Sequence, residues 1–183
     1  MTKVFVIVGA IIASIALMVI VFLSFSGFFY KPTAEEREMG PYAYAYEDFV
    51  GAYSKTFPVF NKVYTLLNDA KIENTIGIGL YHDDPAIVPE NQLRSSCGSV
   101  INETDLQKAI SLGLKTGKID KKLSVIVEFP VKTTFAYMFA PSKCYPVLIK
   151  YVNEKGYKMA APFEIYDMPN KKMFVIMEII GSE

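Results

Sequence analysis

Apolar and polar residues change their period several times along this chain. From Val4 to Phe25, twenty-two residues pass without a charge. At about 1.5 Å per residue, such a helix crosses the roughly 30 Å hydrocarbon core of a bilayer. From Tyr42 to Tyr46 aromatic residues alternate with alanines, the period-two mark of a strand. The spacing then turns helical up to about Ala70. Strand patterns return over 75–81, ended by a turn at Asp83, Asp84 and Pro85, and over 94–101. A short helical piece around Leu106 to Leu112 and a loop containing glycine and lysine separate this half from the next. There, 123–129 and 131–139 read as strands broken by Pro130, and a second helix runs to about Lys155 before Gly156. The last two strands fall at 163–167 and 173–180.

The stretch from Ser54 to Tyr64 is matched by the one from Ser142 to Val152. Each offers Ser or Thr as a cap, a proline in the first turn and apolar residues at helical spacing. Ile78 to Tyr81 and Phe163 to Tyr166 form a second matched pair, one after each helix. The order strand, helix, strand, strand is thus used twice, over about 39–102 and 123–180. Hairpins inside each unit predict an α+β fold, a largely antiparallel sheet with both helices on one face, preceded by a single transmembrane helix. The expected organisation is an anchor over 1–27, a charged stalk over 28–38 and one domain over 39–183 made of the two repeats.

Lysine plus arginine and aspartate plus glutamate each number 19, and this zero formal charge argues against nucleic acid as a partner. A hydrophobic share of 51% over 183 residues allows one domain of ordinary size plus the anchor. The length of the apolar run, and bulky Phe28, Phe29 and Tyr30 after it, favour an uncleaved anchor over a cleaved signal peptide. Lys3 before the helix and Lys31 and Arg37 after it give little orienting bias, so the domain is open to either side of the membrane. Cys97 and Cys144 read as free, buried thiols, with a disulfide as the alternative in an oxidising compartment.

Side chains alternate across a strand. Ile76, Ile78 and Leu80 therefore share one face, and Gly77, Gly79 and Tyr81 the other. In the second copy Phe163 and Ile165 match the apolar set, leaving Glu164 and Tyr166 opposite. The apolar set is expected to pack under the helices, with no second layer over the glycines, tyrosines and carboxylate. That composition suits a groove for a flat, apolar and cationic molecule, because aromatic walls attract cations and a half-buried carboxylate pairs with them. Glu164 is the expected polar anchor, Tyr81, Tyr166 and Tyr137 the walls, and Gly79 the space. Tyr137 enters because Thr133, Phe135, Tyr137 and Phe139 alternate along an expected strand. The plainer alternative makes Glu164 a solvent-facing strand residue. No metal site is expected, since the sole histidine, His82, lacks Cys or His partners at ligand spacing. No cofactor is expected either: a nucleophile elbow and a phosphate loop are missing, and Gly77 and Gly79 lie inside a strand.

The run from Gly79 to Pro85, with Tyr81, Asp83 and Asp84, followed by Val88-Pro89, Leu93-Arg94 and Gly98 to Val100, resembles the GyrI-like domain. Pro162 to Tyr166 and the final strand are similar to that family's closing hairpin. The resemblance spans about Met39 to Ile180 and implies paired strand-helix-strand-strand units forming a small-molecule-binding module. In bacterial multidrug-responsive regulators such modules sense amphipathic, often cationic compounds, and some relatives bind gyrase. Those regulators carry a helix-turn-helix domain where this chain has its apolar helix. The joined anchor and domain resemble the testis-expressed ER-phagy receptors of animals, whose long disordered tail carries a motif for autophagy proteins. The chain stops at Glu183 without such a tail, so that receptor activity is not expected. What the resemblance implies is a membrane-tethered, non-catalytic binder of amphipathic or cationic aromatic molecules. Two alternatives stand beside it: an adaptor that binds another protein through the same face or a strand edge, and a hydrolase of strained electrophilic rings. In the hydrolase, Glu164 would act as general acid or base and Tyr166 as a hydrogen-bond donor.

Overall fold

The computed structural model describes residues 2–182. Helix α1 (Thr2–Phe25) leads into β1 (Ala34–Met39) and β2 (Tyr42–Val50), and α2 (Phe57–Asp69), β3 (Ile76–Tyr81) and β4 (Arg94–Ile101) follow. The short α3 (Leu106–Ser111) and β5 (Lys115–Ile119) precede β6 (Lys122–Pro130) and α4 (Ala136–Lys155). The chain closes with β7 (Tyr157–Lys158), β8 (Phe163–Asp167), β9 (Lys172–Glu178) and β10 (Ile180–Ser182). The fold is α+β. Eight strands form one sheet in the order β1-β6-β9-β8-β3-β4-β2-β5, antiparallel at each step, and β7 pairs with β10. Read outward from the β3–β8 seam, the halves run β3-β4-β2 with α2 and β8-β9-β6 with α4. The repetition in the sequence is a repetition in space.

In α4, Ala136, Ala140, Cys144, Leu148 and Val152 recur at every fourth residue, and all are buried. They pack on Val125, Val127 and Phe129 of β6 and on Met173, Val175 and Met177 of β9. This stripe overrides the alternation of Thr133, Phe135, Tyr137 and Phe139. The strand expected over 131–139 is therefore a turn followed by the start of α4, and Tyr137 is helical. Ser142, expected as a cap, sits inside the helix with Pro141 and Pro146. Each proline leaves a carbonyl one turn back without its helical donor, yet the buried stripe holds the helix together. α4 ends at Gly156, whose φ of 69° is left-handed. In the first repeat α2 does begin beside Pro58, although the Thr56 hydroxyl donates to the Tyr53 carbonyl at 2.9 Å instead of capping the helix.

Part of the segment read as a stalk is strand: 34–39 forms β1 on the edge of the sheet, paired with β6. Glu35, Glu36, Arg37 and Glu38 are all exposed there, so no hydrophobic period marks it. The opposite edge, β5, carries Lys115 and Lys118 and was likewise hidden in an expected loop.

Both faces of the sheet are apolar. Ala45 and Ile101 lie under Val63 and Leu67 of α2 and Ala109 of α3. On the far face Ile78, Phe163 and Ile165 join Tyr44, Ile126, Phe174 and Ile176 in a buried cluster of their own. The sheet curls over this cluster, bringing the Tyr42 ring of β2 to 6.3 Å from Phe163 of β8. The expectation for the two faces is reversed: the apolar set of β3 and β8 points away from the helices, and Gly79, Tyr81, Glu164 and Tyr166 lie beneath them. Period-two spacing sorts residues into faces, but with both faces buried it does not say which one the helices take.

The side chains of α1 are almost all exposed. Its Ser14 and Ser24 hydroxyls donate to the Ala10 and Ile20 carbonyls at 2.9 Å, which satisfies them within the helix as an apolar surrounding requires. The helix is long and apolar enough to cross a membrane.

A Cβ at Gly98 of β4 would stand 1.9 Å from the Ala45 carbonyl oxygen of β2. Gly98→Ala is therefore expected to destabilise the domain by about 3 kcal/mol, since backbone must shift to admit the methyl. Guanidinium unfolding of the detergent-solubilised chain checks this, and an unchanged midpoint would show that the β2–β4 pairing yields freely.

Candidate ligand-binding site

The site forms where β3 and β8 meet under α2 and α4. Gly77 is paired with Tyr166 and Gly79 with Glu164. Without side chains at these two positions of β3, the floor is low enough for rings to lie on it. A Cβ at Gly79 would be 3.0 Å from the Tyr81 ring and 3.2 Å from Phe60 of α2, and one at Gly77 would be 3.3 Å from Tyr166.

Glu164 is 3% exposed, which removes the solvent-facing alternative. Tyr145 of α4 donates to its Oε1 at 3.0 Å, and Tyr166 donates to its Oε2. The Tyr81 and Tyr166 hydroxyls are 2.9 Å apart, so with Tyr166 committed to the carboxylate, Tyr81 donates to Tyr166. Around this chain of hydroxyls, Tyr166 meets Phe60 edge-on at 5.4 Å and Tyr137 at 5.6 Å, and Tyr53 meets Tyr81 at 4.8 Å. The Tyr137 hydroxyl points elsewhere, to Met168 Sδ at 3.0 Å.

Burial pushes the Glu164 carboxyl up to about 7, against the pull of its hydrogen bonds from Tyr166 and Tyr145. The Tyr81, Tyr145 and Tyr166 phenols are pushed far above their ordinary value, first by burial and then by the Glu164 charge. They therefore stay protonated and act as donors. Among the described residues no lysine or arginine stands within ion-pair distance of Glu164. Cys97, paired across β4 from Gly79, and Cys144 of α4 are buried free thiols, pushed by burial to about 11 and about 12. Neither is a reactive thiolate near neutral pH.

The structure thus gathers all five residues expected at the site: Glu164, Tyr166, Tyr81, Tyr137 and Gly79. Sequence reading missed Tyr145, Phe60 and Tyr53. Tyr145 carried a signal, because Tyr137, Pro141 and Tyr145 recur at every fourth residue of α4, one position along from the buried alanine stripe. Asp83 and Arg94 of the family-like run have a different task. Asp83 accepts from the Arg94 backbone N–H at 2.7 Å and from its guanidinium, tying the turn after β3 to the start of β4. His82 Nε2 lies 2.9 Å from the Ser96 hydroxyl, which donates to Asp48 at 2.7 Å. Of two surface hollows of about 260 Å³ each, one borders the cluster through Tyr81, beside Leu80, His82 and Glu178, the other lies by Phe49, Lys55 and Glu90, and neither is lined by Glu164.

No family model matches the sequence, and no curated protein does either. Solved structures resemble it in fold. The C-terminal domain of EcmrR superposes with a TM-score of 0.59 at 16% identity, over 83% of this chain and 99% of that one. An uncharacterised conserved protein from Listeria innocua gives 0.51 at 11% identity, over 87% and 98%. SAV2435 bound to tetraphenylphosphonium gives 0.51 at 9% identity, over 81% and 94%. These likenesses are consistent with the GyrI-like effector-binding fold.

Raising Glu164 from 4.5 to about 7 makes the folded state hold a proton that the unfolded state releases. Stability is then full below about pH 4.5 and falls as pH rises through 7, by roughly 3 kcal/mol at about 1.4 kcal/mol per unit. Glu164→Gln should abolish this loss, melting higher than the wild type at pH 8 and close to it at pH 5. Equal melting differences at both pH values would place the titration elsewhere.

Proposed function

We propose that this chain is a membrane-tethered, non-catalytic binder of amphipathic cationic aromatic molecules, held at the crevice between α2 and α4. The observation that carries this reading is Glu164, a buried acid ringed by aromatic side chains whose hydrogen bonds among the described residues come from neutral phenols. A phenol donates to a carboxylate without cancelling its charge. The ionised site therefore lacks a cation, and a bulky organic cation supplies one while its rings pack on Tyr81, Tyr137, Tyr166 and Phe60. The complex of SAV2435 with tetraphenylphosphonium, a ligand of this class on the same fold, supports the reading. The cluster is closed as it stands, so the ligand enters by displacing rings. Tyr137, half-buried and tied only to Met168 through its hydroxyl, is the ring to move first. Tethering is supplied by α1, whose apolar length fits a bilayer.

A second reading draws on the same carboxylate. Poised at about 7, Glu164 suits an acid–base step in opening a strained electrophile. Turnover of an epoxide that Glu164→Gln abolishes would move the assignment to hydrolysis.

Titration calorimetry with tetraphenylphosphonium in detergent tests the binding reading. Wild type should bind, Glu164→Gln should bind at least about tenfold more weakly, and wild-type affinity should rise from pH 6 to pH 8 as Glu164 ionises. Affinity that ignores both the substitution and the pH would sink it.

A further inference from the structure

The end of the domain at which α1 arrives carries an apolar and basic surface outside the crevice. The helix does not swing free there. Ser26 is buried, Gly27 lies so close to Phe129 that a Cβ would stand 2.7 Å from its ring, and Tyr30 meets Phe129 edge-on at 5.3 Å. Lys143 of α4 donates to the carbonyls of Phe28 and Tyr30. Phe22, one turn inside the end of α1, packs edge-on against Phe135 at 5.0 Å. At 1.5 Å per residue, that contact sets Phe135 about 4.5 Å inside the end of the apolar helix.

The surroundings of Phe135 match that depth. Phe135 is 48% exposed, Met138 71% and Met168 58%. Met168, in the β8–β9 turn, is held beside the first turn of α4 by the Tyr137 hydroxyl. Lys31, Lys132 and Lys171 are exposed at this end. Lys132 stands 5.9 Å from the Phe25 ring, and the Lys171 carbonyl accepts from the Val131 N–H at 2.8 Å. The acidic groups here are engaged: Glu128 pairs with Lys172 at 2.7 Å, and Asp167 accepts from Asn170 at 2.9 Å. Large apolar side chains at the acyl boundary with lysines above them are the makings of an interfacial lipid contact.

We infer that the first turn of α4 and the β8–β9 turn form a lipid-contact surface seated in the interface of the bilayer that α1 crosses, so that the crevice takes its ligand from the membrane. The inference rests on reading α1 as a membrane span. Its link to the site is Tyr137, which lies on this turn between Phe135 and Met138 and forms the crevice wall against Tyr166. Amphipathic cations partition into the same interfacial layer. There Tyr137 stands against Tyr166 of the cluster, with 5.6 Å between ring centroids.

The chain contains no tryptophan, so a single introduced indole reports its own surroundings. Three full-length variants, Ile12→Trp, Met138→Trp and Leu123→Trp, are reconstituted in phosphatidylcholine–phosphatidylglycerol vesicles brominated along the acyl chains. Ile12 and Leu123 are both exposed, and Leu123 lies toward the far end of β6 from Pro130, about 23 Å away along the strand. The expected result is strong quenching at position 12, quenching at 138 by bromines near the headgroups, and at least about twofold weaker quenching at 123. Quenching at 12 with none at 138, or with 123 quenched as much as 138, overturns the lipid-contact surface and leaves the anchor standing. No quenching at 12 removes the anchor and the inference together.

Discussion

The antiparallel pairing of β3 with β8 is the contact on which the rest of the molecule is built. It is the step at which the two repeats meet, and its register puts two glycines opposite Tyr166 and Glu164. A slip of one residue would carry the carboxylate to the far face, into the cluster of Ile126, Phe163 and Ile176, and turn Ile165 toward the helices. Burial on both faces thus fixes the register twice. The same pairing keeps the floor beneath α2 and α4 low at Gly77 and Gly79, where β3 has no side chains.

The carboxylate at that seam is held in an unresolved balance. Burial favours its neutral form, while two phenol donors favour its charge, and burial wins by enough to bring it near neutrality. A lysine in place of Tyr145 would have settled the matter and filled the site. Phenols instead leave a charge uncompensated while blocking water, and a domain of this size can tolerate one such group. In the proposed binding role, the charge that costs stability is the charge an organic cation would seek.

Much of this was legible in the sequence, and the failures have physical causes. Alternation along β2, β3 and β8 was strong because one residue in two is buried in the same core. That Glu164 and Tyr166 share a face, and that this face matches the glycine face of β3, followed from the matched repeats, while the side-by-side placing of β3 and β8 did not. Tyr137 was placed at the site through a strand that does not exist. Its neighbours happen to alternate, while the stripe from Ala136 to Val152 is made largely of small residues that a search for bulky hydrophobics passes over. β1 was invisible for another reason: an edge strand takes its order from the partner's hydrogen bonds, and Glu35 to Glu38 place no apolar side chain in the core. Which face met the helices depended on the curl of the sheet, a property of all eight strands together.

In the membrane-tethered reading proposed above, the two charged edges have a consequence for copies held in one bilayer. Molecules confined to a plane collide far more often than the same number in bulk, and an open sheet edge is a ready template for further strands. Here one edge shows Glu35, Glu36, Arg37 and Glu38, and the other Lys115 and Lys118, with Lys115 and Lys118 already drawn to Asp48 and Glu103. Adding a strand at either side would desolvate those groups before any backbone bond formed. The eight-stranded sheet thus ends in charge on both sides, which works against edge-to-edge pairing of neighbouring copies.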